Sequence, residues 1–216
     1  MHAKLKNPAR KFCAIVVMAQ LLALLGCAQS LTLQTRPEVP VPLARQLPLN
    51  VAVYYPEAFR NYDYQENSED RPNWNISYGA SQVTLFEQLL PSMFASVVHV
   101  DGTSYQGDRQ VDFILVPEVE EMQFALPHET RTDLYEAWIK YRVRLYDPAG
   151  QPMGDWPVSG YGKSSTAFLK NRSEGLDSAI NSAFRDVGAK FTLGFAQSEV
   201  VQNWRAAGGS NERATP

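Results

Sequence analysis

The seven residues from Ile139 to Leu145 alternate without exception. Ile139, Tyr141, Val143 and Leu145 point one way; Lys140, Arg142 and Arg144 point the other. Period two of this regularity means a β-strand with one face on a core and one face in water. A sheet with one wet face needs a second layer on its dry side. Asp147-Pro148-Ala149-Gly150 then signals a turn. Trp156, Val158 and Gly160 continue a returning strand, so the segment reads as a hairpin.

The covering layer is legible further on. Leu176, Ala179, Ile180, Ala183, Phe184, Val187 and Phe191 form one apolar stripe at helical spacing, with Ser173 as the expected N-cap. Earlier, Ser81 opens a second helix. Val83, Phe86, Leu90, Met93, Phe94 and Val97 share its apolar face with Leu89 beside them, and Pro91 predicts a kink or break near Leu90. Leu49 to Tyr55 reads as a buried first strand ending at Pro56. Val98-His99-Val100 reads as a short strand, and Val111 to Val116 as a central one that continues past Pro117 to Phe124 with a bulge. The expected fold class is α+β: a mixed β-sheet with helices packed on one face, in the order β-α-β-β-β-β-α. The first strand-helix-strand unit should be a right-handed crossover.

One stretch has no period. Glu57 to Gly79 is long and holds Tyr62, Tyr64, Trp74 and Tyr78 among polar and acidic residues. A loop of this length is functional or disordered in most proteins, and its aromatic density argues against disorder. Tyrosine and tryptophan give large contact area at little entropic cost. These four are therefore candidate partner-binding residues, with the Arg142 and Arg144 face second. The alternative is that the aromatics fold back as a lid over the sheet.

The amino terminus sets the compartment. Lys4, Lys6, Arg10 and Lys11 precede an apolar run from Phe12 to Leu25, which is 14 residues. As a helix it would be about 21 Å long, short of the roughly 30 Å needed to span hydrocarbon. A basic flank, a short apolar run and a small residue at its end describe a secretory signal peptide over residues 1–26. Leu24-Leu25-Gly26-Cys27 resembles the lipobox of bacterial lipoproteins, which implies acylation of Cys27 as the first mature residue. The alternative is an ordinary secretory signal with a chance cysteine. Several acyl chains would make detachment negligible, at about 0.8 kcal/mol per buried CH₂. Ala28 follows, where an aspartate would resemble an inner-membrane retention signal, so the inner leaflet of the outer membrane is expected.

Loss of the signal takes four of the 20 basic residues and none of the 23 acidic ones, leaving a net charge of −7. A mildly acidic domain is a poor candidate for nucleic acid, whose binders show a basic stripe. Cys13 leaves with the signal and Cys27 is under lipid, so the mature domain has neither disulfide nor free thiol. Pro37, Pro40, Pro42 and Pro48 favour an extended tether over 27–48, which at about 3.1 Å per residue could reach roughly 60 Å. The alternative is a lead-in that packs along the domain. The domain itself is expected over 49–197, with a polar tail over 198–216.

Lipobox, proline-bearing lead and element order together look like the small envelope lipoproteins whose domain resembles the N-terminal domain of TolB. The curli secretion lipoprotein and the lipoprotein activators of cell-wall synthases share that build. The stretches that carry the resemblance are LNVAVYYP, VDFILVPEVEEM, IKYRVRLYDPAGQPM and GLDSAINSAFRDVGAKF, with a Tyr-Asp-x-x-Gly turn at Tyr146 to Gly150. The lipopolysaccharide-assembly lipoproteins are comparable. The resemblance implies a protein that binds, plugs or activates an envelope partner, or assembles with itself into a ring, and is not an enzyme. It carries over no site residue.

Motifs for chemistry fall short. Gly160-Tyr161-Gly162-Lys163-Ser164 resembles half a P-loop, but the position five before the second glycine is Pro157, which lacks an N–H. Gly102-Thr103-Ser104-Tyr105-Gln106 is one glycine short of a nucleophile elbow, with His99 and His128 as the available bases. Asp112, Glu118, Glu120 and Glu121 could form a cation site. Period two puts Glu118 and Glu120 on one face and Glu121 on the other, and Lys140, Arg142 and Arg144 are natural cross-strand partners. No metal and no cofactor is expected.

Overall fold

The structure is a computed structural model that describes residues 29–32, 46–66, 73–166 and 171–209. The signal segment, Cys27 and most of the 27–48 lead lie outside them. Five strands form the main sheet. In chain order they are β2 (Leu47–Val53), β5 (Phe94–His99), β6 (Phe113–Ala125), β7 (Leu134–Tyr146) and β8 (Pro152–Ser165). Their spatial order is β5-β2-β6-β7-β8, with β2 parallel to both β5 and β6 and the rest antiparallel. Helix α2 (Gly79–Met93) leads into β5, and α4 (Arg172–Gly194) follows β8. Both helices bury their apolar sides in the core that holds Val51, Leu115, Tyr141 and Val143. The expected α+β class and main-sheet order are therefore present.

Strand β7 alternates over 13 residues, its odd positions buried from Tyr135 to Leu145. The hairpin turn is held by Gly150, which has φ +90°, and by Asp147, whose carboxylate accepts from the Gln151 N–H at 2.7 Å. Strand β6 shows why a bulge was needed. Phe113 and Leu115 lie in the main core, as do Met122 and Phe124, so the inward set changes from odd to even along one strand. The register against β7 shifts between Val119 and Glu121, and the extra residue restores the pleat.

Several boundaries differ from the sequence expectation. Helix α2 starts at Gly79 and runs through Pro91 to Met93, with the Phe94 N–H closing on the Leu90 carbonyl. Proline so near the end removes one hydrogen bond where few remain to be broken. Phe94 and Val97 are not on that helix; they belong to β5, which starts at once. The N-cap of α4 is Asn171, whose side chain accepts from the Glu174 N–H, and Ser173 already lies inside the helix. The expected polar tail contains helix α5 (Glu199–Ala206), which buries Val200 and Val201 and sets Trp204 edge-on to Phe113 at 5.4 Å.

Where it is described, the aperiodic stretch is not a loop. It forms a helical turn, α1 (Glu57–Arg60), then β3 (Asp63–Glu66) and β4 (Trp74–Ser77). A four-residue element is too short to show a period, which is why none was visible. Strands β3 and β4 are antiparallel and belong to a second, three-stranded sheet. Its third strand, β1 (Gln29–Thr32), pairs parallel with β4, Gln29 opposite Trp74 and Leu31 opposite Ile76. The lead is therefore not a free tether at its start. The packed lead-in is the alternative observed for these four residues.

Candidate partner-binding face

Two of the four candidate aromatics are core residues. Trp74 is 3% exposed and Tyr78 1%. Trp74 packs on Phe124 with ring centroids 5.2 Å apart, and Tyr78 on Phe184 at 5.9 Å. Tyr62 and Tyr64 are half-buried and cover the same seam, Tyr62 against Tyr78 at 5.0 Å and Tyr64 against Phe124 at 5.7 Å. Burial removes Trp74 and Tyr78 from the partner-binding candidates, and the aromatics lie as the fold-back alternative has them. Two of the four are buried: Trp74 lies in β4, whose alternate residues face the core, and Tyr78 stands at the N-cap of α2. Burial also pushes the Tyr78 phenol far above its ordinary value.

Arg142 and Arg144 lie on the opposite face. The even positions of β7 point away from both helices, and β6 and β8 flank them. Arg144 meets Glu118 at 3.0 Å; Lys140 and Arg142 both meet Glu120 at 3.0 Å; Arg142 also holds Asp155 across the hairpin. The bulge corrects the expected placement of Glu121. Register sets it opposite Lys140 on this same outer face, where it accepts from Gln123 at 2.6 Å. The acidic row of β6 thus lies beside the basic row of β7, and β8 adds the single carboxylate of Asp155. The hydrogen bond from Lys140 holds the Glu120 carboxyl below its ordinary value, and Asp155, followed by Glu120, holds the Arg142 guanidinium above its own. Exposed pairs like these stabilise a fold little, because water and salt screen them. Their stronger effect is a fixed charge pattern.

The ladder leads into an exposed aromatic pair that the sequence reading missed. Trp138 and Tyr161 stand opposite each other on β7 and β8, centroids 5.1 Å apart, and are 39% and 36% exposed. The Tyr161 hydroxyl donates to Glu136, which raises its pKa. Beside the pair is a hollow of about 260 Å³ lined by Glu121, Gln123, Trp138, Lys140, Ser159 and Tyr161. The alternation that places Arg142 and Arg144 extends backward to Trp138.

The remaining motif residues have structural places. Gly160 and Gly162 lie in β8, not in a phosphate loop. A Cβ at Gly160 would be 2.2 Å from the Ala183 carbonyl oxygen, and one at Gly162 2.1 Å from that of Ala179, so both exist to let α4 approach. Pro157 sits in edge strand β8, where register places it opposite Arg142. His99 is exposed at the end of β5 and meets Glu87 at 3.4 Å. His128 lies in the short helix α3 (Pro127–Thr130). Ser104 lies in the loop between β5 and β6, against the Gly150 turn. Asp112 accepts from the Asn50 N–H at 2.8 Å.

No family model and no curated protein matches the chain. Solved structures do. A Xanthomonas campestris protein of family-model DUF330 is similar at TM-score 0.50 and 11% identity, covering 83% of this chain and 99% of that one. A candidate homologue of a neuraminyllactose-binding hemagglutinin from Helicobacter pylori has TM-score 0.46, 11% identity and coverage of 82% and 99%. A candidate lipoprotein from Caulobacter crescentus has TM-score 0.32, 12% identity and coverage of 43% and 70%. At such identities the Xanthomonas likeness is one of fold alone. No helix among the described residues is long and apolar enough to cross a membrane.

Proposed function

We propose that this chain is a non-catalytic lipoprotein of the bacterial envelope, of the TolB N-terminal-domain type, which binds a protein partner through the outer face of its main sheet. The observation that carries this is the exposed Trp138–Tyr161 pair beside a ladder of fixed charges, on the side of the sheet away from α2 and α4. Tryptophan, tyrosine and arginine dominate binding hot spots, and a patterned charged surround selects the partner and its register. The lipobox at Leu24 to Cys27 supports a lipid anchor, and the outer membrane is the expected site.

The test is a photo-crosslinking residue at Lys163 or Ser159 in intact cells, read by mass identification. One envelope protein should be captured, and Trp138→Ala with Tyr161→Ala should abolish capture in a folded protein. Capture that survives both changes places the site elsewhere. Crosslinks between two copies of the chain would favour self-assembly into a ring. Unchanged cellular function after substitution of His99, His128 and Ser104 would agree with a non-catalytic role.

A further inference from the structure

We infer that the three-stranded sheet is the membrane-apposed end of the domain, held against lipid headgroups by its own first strand. The inference rests on the lipoprotein reading of Cys27. It adds where that anchor holds the domain. Gln29, the first residue of β1, is paired opposite Trp74, and Trp74 is paired opposite Glu66. Only Ala28 separates Gln29 from Cys27. Two residues of fully extended chain span about 7 Å. A cysteine whose acyl chains are in hydrocarbon sits in the headgroup layer, so Gln29 is at that layer too. The row Gln29–Trp74–Glu66 is therefore the end nearest the bilayer.

Chain direction agrees. Strands β1 and β4 run parallel, and β4 leads directly into α2 and the main sheet. Leaving the membrane along β1 thus means moving toward the body of the domain. The prolines Pro37, Pro40 and Pro42 follow β1 and lie in the connection to β2, so the reach they provide adds nothing to the distance from the bilayer. A free tether would have placed the domain tens of ångströms away; the docked strand removes that freedom.

The experiment uses the full lipidated protein in phosphatidylethanolamine–phosphatidylglycerol vesicles that contain headgroup-nitroxide lipid. Asn73→Cys, an exposed position just before β4, carries a fluorophore. Its emission should be quenched at least twofold relative to a variant with about 20 Gly/Ser residues inserted between Ala28 and Gln29, a spacer adding roughly 25 Å. Equal emission from both overturns the inference. A mass spectrum with acylated Cys27 and no quenching sinks the placement alone, whereas a spectrum without acyl groups sinks the lipoprotein reading beneath it. As a second measurement, Leu31→Cys with Ile76→Cys should form a disulfide within one chain, and a disulfide-linked dimer would overturn the docking.

Discussion

The Tyr141 hydroxyl donates to Gln82 Oε1 at 3.0 Å where both side chains are fully buried, joining the middle of β7 to the first turns of α2. Gln82 in turn donates to the Phe59 carbonyl, so one amide ties strand, long helix and α1 together. Tyr141→Phe leaves a buried acceptor without its donor and should cost about 1–3 kcal/mol. That is a fall in Tm of several degrees. Adding Gln82→Met should cost less than the two single changes summed, because the pair acts as a unit. Thermal unfolding of the four proteins checks this.

Burial of tyrosine also sets the alkaline limit. Tyr141, Tyr78 and Tyr55 all have phenols pushed well above the ordinary value near 10, in each case first by burial. Above about pH 10 the unfolded chain loses these protons and the folded one keeps them. Stability is full below that pH and falls as pH rises, by about 1.4 kcal/mol per unit for each such group. Tyrosinate absorbance should therefore rise in two parts: exposed phenols gradually, buried ones in a single step with unfolding. A smooth titration of all ten tyrosines would refute it.

Gly162→Ala should be among the most damaging small changes in the chain. Its new Cβ would collide with the Ala179 carbonyl, and a helix backbone cannot give way as a flexible side chain can. A loss of about 3 kcal/mol or more is expected, at the upper end for overpacking. Gly102→Ala meets nothing within 4 Å and should unfold like the parent. Urea midpoints compare the two directly.

Lid and binding face separate by stability. Trp74→Ala and Tyr78→Ala remove buried aromatics and should each cost about 3–5 kcal/mol. Trp138→Ala removes a ring that is 39% exposed and should stay within about 1 kcal/mol of the parent. Loss of partner capture by a Trp74 variant would thus report unfolding, whereas loss by Trp138→Ala would report the interface.

At the start of α4 the cap is testable by itself. Asn171→Ala should cost about 1 kcal/mol through the lost bond to the Glu174 N–H. Ser173→Ala should be neutral, since serine inside the first turn of a helix has no capping duty.

Long periodic segments were legible before any coordinates. The alternation at Ile139 to Leu145 and the stripe from Leu176 to Phe191 required a half-wet sheet under a helix, and both are present. The sequence leads to a bulge in β6 past Pro117 but does not show where it lies, so strict period two puts Glu121 on the wrong side. Four short elements are hidden in the sequence: α1, β3, β4 and α5 are each too short to repeat a pattern. Trp74 and Tyr78 looked like surface aromatics because nothing local to them reveals the β3–β4 pairing that turns them inward. Strand β1 was hidden for another reason: it precedes the prolines that made the whole lead look extended.

The outer edge of β8 shows how the sheet ends. Pro157 offers no N–H, the Tyr161 N–H is taken by the Asp186 carboxylate at 2.8 Å, and the Ser159 carbonyl is taken by Lys190 at 3.0 Å. Molecules confined to a surface meet far more often than molecules free in a volume, and crowding of that kind invites sheets to stack strand upon strand. From Pro157 to Tyr161 an imino acid and two side chains from the neighbouring helix occupy this border and weaken it as a template for such growth. On the proposed lipid anchor, neighbouring copies would then resist fusing along this stretch of the border.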